Sequence, residues 1–400
     1  MHRELLSAEV QSFIRSHEHV RDEEIVLKNQ SISGVPASVI ATQISGRKKA
    51  REKLPTYYKT PFIVFPPGKN LEQSSSEKTA AFKTDFLRGN IPLSSKGSCA
   101  DLTGGFGIDS FFFQSLVSVH YVEPDRSLLE IAQHNHQLLG ALNIFYYPST
   151  AEDFLRTASQ SFDFIFIDPS RRAEGNKKVF QFSDTIPNVI DLLDLIFERT
   201  PFLLIKASPL LDIQLGMKQL KSVKKVIIVS VDNDCKELLY FCQRDYCGEP
   251  SLETYNLKGN QTDFFGFRLS EERDAEIYFS EPRQFLFEPN ASLLKAGAFK
   301  ALGHRFSLFK LQASTHFYTS DKWVPDFPGR IFQIEKLIKP DPKSIQEIFP
   351  EGKANITTRN YPLSVDELRK KTRLKDGGDR YLIGFSGVNK KYLAAATRLR

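Results

Sequence analysis

The chain has 400 residues, 41% of them hydrophobic and 26% charged, with a net charge of +6. That length exceeds the roughly 250–300 residues a single core sustains, so two or three domains are expected. No apolar run approaches the ~18 residues of a membrane span, and the charged start "MHRELLSAEVQSFIRSHEHV" holds no signal-peptide core.

Cys99, Cys235, Cys242 and Cys247 lack CxxC spacing, and four cysteines in this length make no disulfide framework. A cytoplasmic protein with reduced thiols and no membrane association is expected. His17 and His19, and His134 and His136, stand two apart without an HExxH frame and read as surface histidines, so no structural metal is expected.

Residues 1–95 read as an N-terminal helical and extended segment. It includes "LPTYYKTPFIVFPPGKN", whose aromatic residues are expected to pack rather than to stack on bases. Ser74 and Glu77 in "EQSSSEKTAAFKTDFL" have capping-box spacing and predict a helix start.

Residues 96–246 form a regular block. "SCADLT", "VHYVEP", "IFYYPST", "FDFIFIDP" and "FLLIKAS" read as strands alternating with helical segments, and "KKVIIVSVD" and "ELLYFCQRDY" follow as an antiparallel edge pair. Near-continuous apolar strands between helices imply a parallel sheet covered on both faces. The expectation is a doubly wound, Rossmann-like α/β domain with a seven-stranded sheet.

Residues 247–328 read as an α+β domain, with a ferredoxin-like arrangement among the options. Its strands are "DFFGFRLS" and "AEIYFS", its helix is "PNASLLKAGAFKALG", and "FSLFKLQASTHFYTS" is strand-like. Residues 329–400 form a third unit with helices "SIQEIF" and "SVDELRKKT" and strands "KANITTR" and "DRYLIGFS". From Ile331 to Arg400 there are 15 Lys and Arg against 8 Asp and Glu, so the chain's positive excess lies there. Such a cluster is either a solvated face or a surface for a polyanion such as RNA.

In a doubly wound sheet, ligands bind at the carboxyl ends of the strands. After the first strand comes Asp101-Leu-Thr103-Gly104-Gly105-Phe-Gly107, whose glycines permit positive φ and close main-chain approach. After the second comes Glu123, placed to accept ribose hydroxyls. After the third, Glu152 or Asp153 could meet an adenine amino group, and after the fourth stands "IDPSRR". Asp101 and Asp109 flanking the loop would repel a pyrophosphate but suit an ammonium group. Ribose, adenine and an aminoacyl tail together describe S-adenosylmethionine.

With "DLTGGFGIDS", "VEPD", "STAEDFL" and "IDPSRR", the sequence resembles class I S-adenosylmethionine-dependent methyltransferases. "LEQSSSEKTAAFKT", "IKASPLLD", "NDCKELL" and "NITTRNYPLSVDELRKK…LKDGGDRYL" narrow the resemblance to bacterial methyltransferase-like proteins with a C-terminal THUMP-like domain, from about Leu71 onward. The resemblance implies an RNA methyltransferase acting on tRNA or rRNA, with Ser75, Ser76 and Thr79 bordering the cofactor or substrate mouth. It also makes Asp168, Pro169, Ser170, Arg171 and Arg172 the catalytic stretch. In amine-methylating relatives a second proline and an aromatic follow; here Ser170 and Arg171 stand instead, a departure that argues against a stacked purine amine.

Arg171 and Arg172 would clamp a substrate phosphate or pair with neighbouring acids. No cysteine lies near the ends of the fourth and fifth strands, which argues against pyrimidine C5 chemistry. Lys206 ends the fifth strand and either meets substrate or pairs with an acid such as Asp212. Arg359, Arg369, Lys370, Lys371, Arg373 and Lys375 are the candidates for RNA phosphate contacts. A protein or metabolite substrate, and a non-catalytic cofactor-binding module, are the alternatives; the oligomeric state is open.

Overall fold

A computed structural model describes residues 3–171, 181–339 and 341–400. The chain divides into two compact units: Met1–Lys224 with Leu238–Gly248, and Lys225–Glu237 with Glu249–Arg400. No helix among the described residues is long and apolar enough to cross a membrane.

The first unit opens with helices α1 (Ala8–Ser16) and α2 (Asp22–Lys28), a short hairpin of β1 (Ser31–Ile32) and β2 (Val35–Pro36), then α3 (Ala37–Lys53), α4 (Pro55–Lys59), α5 (Gly68–Gln73) and α6 (Glu77–Asn90). Their apolar faces enclose Ile40, Ile44, Tyr57, Phe65 and Leu71, and the same core takes in Phe106 and Ile108 of the glycine loop. The aromatic residues of "LPTYYKTPFIVFPPGKN" thus include core members. Two buried side-chain amides satisfy the extended backbone there. Asn135 accepts from Val64 N at 2.9 Å and donates to Val64 O at 2.8 Å. Gln43 does the same for Phe65, both at 2.8 Å.

The capping box lies two residues beyond its predicted place. Ser76 Oγ accepts from Thr79 N, and Thr79 Oγ1 accepts from Ser76 N. Glu77 instead accepts from Thr56 N at 2.7 Å and from Thr56 Oγ1 at 2.8 Å, a long-range pairing that local spacing does not reveal.

The first unit's sheet is built from β3 (Ser98–Asp101), β4 (Ser118–Val122), β5 (Ile144–Tyr147), β6 (Phe164–Ile167), β9 (Phe202–Ala207) and β11 (Asp234–Gln243). The order is β11-β9-β6-β3-β4-β5. All its neighbours are parallel except β11, which runs antiparallel to β9 over Leu238–Gln243. Helices α7 (Ile108–Phe113), α8 (Arg126–Leu138), α9 (Ala151–Thr157), α10 (Val189–Arg199) and α11 (Ile213–Gln219) connect the strands. β7 (Ser170–Arg171) and β8 (Thr185–Ile186) form a separate two-residue pairing. Because β3 is flanked by β4 and β6, the strand order reverses there, and the carboxyl ends of β3 and β6 are where a doubly wound sheet holds its ligand.

In the second unit, β10 (Val223–Val231) is not an edge. From Lys225 onward it pairs in parallel with β12 (Ser251–Lys258), which pairs antiparallel with β13 (Gln261–Arg268). A separate 7-stranded sheet holds β14 (Phe285–Pro289), β15 (Phe309–Lys310), β16 (Tyr318–Ser320), β17 (Gly329–Ile338), β18 (Asn355–Arg359), β19 (Arg380–Ser386) and β20 (Lys391–Arg398), ordered β15-β16-β14-β17-β20-β19-β18. The predicted strand "AEIYFS" is reduced to one bridge, Phe279 to Lys310. The helix predicted after Pro289 breaks at Gly297, at φ +73°, into Ala291–Ala296 and Lys300–Arg305. The alanine-rich β20 went unpredicted, yet it lies between β17 and β19. Burial of Ala394, Ala395 and Ala396 between two strands overrides their weak strand propensity.

Asn135→Ala orphans the buried N–H and C=O of Val64, each worth about 1–3 kcal/mol. The variant is expected to lose roughly 2–4 kcal/mol in chemical denaturation, with the same secondary structure by circular dichroism.

Candidate active site

The strand registers set the site. Asp101 of β3 faces Tyr121 and Phe166 in its neighbours, so Glu123 and Asp168, each one residue past its strand, emerge at the same edge. Ile167 faces Ile205, which brings Asp168 beside Lys206.

The three glycines of the loop divide by what surrounds them. A Cβ on Gly104 would clash with the Tyr121 ring, and one on Gly107, at φ +80°, would lie 2.6 Å from the His136 ring. These two glycines let the loop pack. Gly105, at φ +58°, has only the Thr103 carbonyl, 3.6 Å from its Cβ position. Its N–H donates to Glu123 Oε2 at 2.9 Å, and Asp125 N donates to Glu123 Oε1 at 2.9 Å. Each Glu123 oxygen therefore keeps a second lone pair. Burial raises the Glu123 carboxyl above its ordinary range, against those two backbone donors.

His136 corrects the reading of surface histidines: it is fully buried in α8. Its Nε2 lies 2.9 Å from Gly107 O and its Nδ1 2.9 Å from the Tyr146 hydroxyl, and burial pushes its pKa down to about 4. A neutral ring holding one proton donates to one partner and accepts from the other, which suits a carbonyl on one side and a hydroxyl on the other.

Behind the loop the charges are paired. Asp101 is 1% exposed; its Oδ2 accepts from Ser110 Oγ at 2.6 Å and its Oδ1 from Thr103 N at 3.2 Å. Burial, aided by nearby Asp109, pushes its pKa up to about 7. Asp109 lies against Lys83, which is fully buried, with Nζ 3.2 Å from Oδ1. Ser75 Oγ donates to Asp109 Oδ2 at 2.6 Å and accepts from Lys83 Nζ at 3.1 Å.

Lys206 Nζ donates to Asp168 Oδ2 at 2.5 Å and reaches Gln73 O at 3.4 Å. Its partner is thus Asp168, not Asp212, which caps α11 by accepting from Leu215 N. The Asp168 N–H donates to Thr103 Oγ1 at 2.6 Å, tying the first loop to the fourth. Burial raises the Asp168 carboxyl above its usual range, and Lys206 opposes that rise.

At the third strand end, Thr150 Oγ1 accepts from Asp153 N at 3.1 Å and donates to Asp153 Oδ2 at 3.0 Å, leaving Asp153 exposed in the first turn of α9 beside Glu152. Pro169 is buried and Ser170 exposed. Arg172 lies outside the described residues, and of Arg171 only the backbone is described. Of the C-terminal cations, Arg359 pairs with the buried Glu288 at 2.7 Å, and Arg369 with Asp366 at 3.2 Å and Asp376 at 3.3 Å. Lys370, Lys371, Arg373 and Lys375 are exposed and make no ion pair with another described residue. No group of three His, Cys, Asp or Glu among the described residues is arranged to hold a metal ion.

Lys83 escaped the sequence reading, although its signal was present. It falls in the buried stripe Ala80, Lys83, Thr84, Leu87 of α6, and a lysine on such a stripe needs a buried anion.

Residues 285–328 match a family described as a ferredoxin-like domain, and residues 329–398 one described as THUMP domain-like. The crystal structure of a proposed methyltransferase from Porphyromonas gingivalis W83 superposes with a TM-score of 0.85 at 28% identity, covering 100% of this chain and 99% of that one. An uncharacterised S-adenosylmethionine-dependent methyltransferase of Mycobacterium tuberculosis, in strains CDC 1551 / Oshkosh and ATCC 25618 / H37Rv, is 20% identical over 257 residues, or 64% of this chain. The match spans 66% of the length of these curated relatives. The chain therefore has methyltransferase relatives, a methyltransferase-like fold and a THUMP-like C-terminal domain.

Asp101 gives a pH test. Its folded pKa of about 7 exceeds the 3.8 of a free aspartate carboxyl, so the folded state binds the extra proton and the contribution to stability is full below about pH 4 and lost as pH rises through 7. Asp101→Asn is expected to remove that fall, at most roughly 4 kcal/mol, as read from denaturation curves of both proteins between pH 4 and 8.

Proposed function

We propose that this chain is an S-adenosylmethionine-dependent methyltransferase that modifies a nucleotide in RNA, tRNA or rRNA, captured by its basic C-terminal domain. The observation that carries the reading is the Gly105–Glu123 cradle. A left-handed glycine with no side chain within 4 Å of its Cβ position, its N–H fixed by a carboxylate with acceptor capacity to spare, suits a nucleoside's sugar hydroxyls.

The bound cofactor would supply an electrophilic methyl group on a sulfonium. Glu123 would hold the ribose, and the half-buried Glu152 and the exposed Asp153 would meet the base. Asp101, Gly104, Gly107 and Asp109 serve the same end by shaping the loop, since their own contacts are internal. Asp168, with Thr103 on its N–H and Lys206 on its carboxylate, stands where the acceptor would sit. Orientation of that acceptor is worth more than any proton transfer here.

The RNA reading is supported by the THUMP-like match and by Lys370, Lys371, Arg373 and Lys375, exposed on and just after the helix Val365–Thr372. Such cations give salt-dependent affinity without sequence choice. Arg359 and Arg369 contribute less, because acids already hold them.

Tritiated S-adenosylmethionine with RNA and protein fractions from cells lacking the gene tests the reading. Label is expected in RNA with the wild type and not with Asp168→Ala; label in protein instead would overturn the RNA substrate, and none anywhere the activity. Glu123→Ala is expected to weaken S-adenosylhomocysteine binding about tenfold or more by calorimetry, the loss of hydrogen bonds to a charged acceptor. Changing Lys370, Lys371, Arg373 and Lys375 to Gln is expected to reduce the salt slope of RNA binding by about 2–4.

A further inference from the structure

We infer that the acceptor atom is a hydroxyl oxygen, the ribose 2′-hydroxyl of the RNA, and that Lys206 and Asp168 together activate it. The inference rests on the methyltransferase reading above and narrows its substrate from a nucleotide to one atom of it.

The discriminating quantity is the sign of the charge that develops on the acceptor. An amine that attacks a methyl group turns positive before it sheds its proton. A hydroxyl oxygen that attacks while losing its proton carries negative charge. A site built for the first presents an acceptor and a flat ring to hold the base. A site built for the second presents a cation.

The groups around Asp168 belong to the second kind. Lys206 Nζ sits 2.5 Å from Asp168 Oδ2, so whatever approaches that carboxylate meets an ammonium group at the same point. The Asp168 side chain keeps 31% of its surface open, against 11% for Lys206. Lys83 also acts on Asp168 from α6, although its contact is with Asp109. Asp109 itself is taken up by Lys83 and Ser75, and Asp101 has both oxygens turned into its own loop. Neither of these two carboxylates adds to the partial offset of the Lys206 charge that Asp168 itself provides.

Among the described residues, the stretch after Asp168 supplies no flat ring. Ser170 occupies the place after Pro169, exposed, and no aromatic residue lies from Asp168 to Arg171. The next described aromatic along the chain, Phe182, is fully buried with its ring 5.2 Å from that of Tyr240.

In the step these residues support, the acceptor's O–H bond breaks and its proton passes to the Asp168 carboxylate. The freed oxygen pair forms the new bond to carbon, while the pair of the carbon–sulfur bond returns to sulfur and discharges the sulfonium. Asp168 then releases the proton to water. Lys206 stays protonated throughout and lowers the energy of the oxygen's negative charge. The strap from Gln73 to Ser75 fixes both lysines, since Gln73 O meets Lys206 and Ser75 Oγ meets Lys83.

The test digests RNA, labelled from methyl-tritiated S-adenosylmethionine by the full-length protein, to nucleosides and separately with alkali. Label is expected in 2′-O-methylribonucleosides and in alkali-stable dinucleotides. Lys206→Met is expected to lower the rate about 100-fold or more, the scale of losing one donor to a developing oxyanion. The same variant is expected to bind S-adenosylhomocysteine within about threefold of the wild type by calorimetry, since the Lys206 hydrogen bonds to Asp168 and Gln73 lie outside the Gly105–Glu123 pair. Should Lys206→Met not fold, Lys206→Arg keeps the charge and is expected to retain part of the rate with the same 2′-O-methyl product. Label in base-methylated nucleosides would overturn the inference while leaving RNA methylation standing. Label absent from RNA with the wild type would overturn both. A Lys206→Met protein of undiminished rate would overturn the role of Lys206.

Discussion

Carboxylates crowd the ends of parallel strands here, and buried lysines make that crowding stable. Asp101, Asp109 and Asp168 act on one another electrostatically, and burial pushes Asp101 and Asp168 toward their protonated forms. Lys83 answers Asp109, and Lys206 answers Asp168. Breaking a buried pair costs about 3–5 kcal/mol because one charge is left uncompensated. The two lysines therefore hold the shape of the loop as well as its charge, and the strap that orients them comes from residues ahead of the sheet.

That dependence explains why the N-terminal helices share a core with the glycine loop. Phe106 and Ile108 pack among Tyr57, Phe65 and Leu71, and the backbone between the helices is stitched by Asn135 and Gln43. The N-terminal segment is the back wall of the site. Within the loop the labour is divided: Gly104 and Gly107 yield to the rings of Tyr121 and His136, and Gly105 alone has no side chain against its Cβ position.

The second unit follows another logic. β14 to β17 pair across the boundary expected at residue 329, so one sheet takes in both matched regions. Its cations also divide. Glu288, buried on β14, holds Arg330 and Arg359, while the lysines at the end of Val365–Thr372 stay at the surface. Charge counted along the sequence overstates what such a surface can offer a polyanion, because part of it is neutralised inside the domain.

Much of this was legible in the sequence. Apolar strands alternating with helices specify the doubly wound sheet, and the carboxyl-end rule turns that order into the edge where Asp101, Glu123 and Asp168 stand, because strand periodicity and connection handedness are local and general. Other features were not. That Lys206 pairs with Asp168 rather than Asp212 depends on the Ile167–Ile205 register. That Lys83 answers Asp109, that His136 is buried, and that β20 exists depend on which surfaces meet. Local pattern determined the elements and the residues at their ends; only tertiary packing decided which charges face each other, because burial and register are properties of neighbours far apart in the chain.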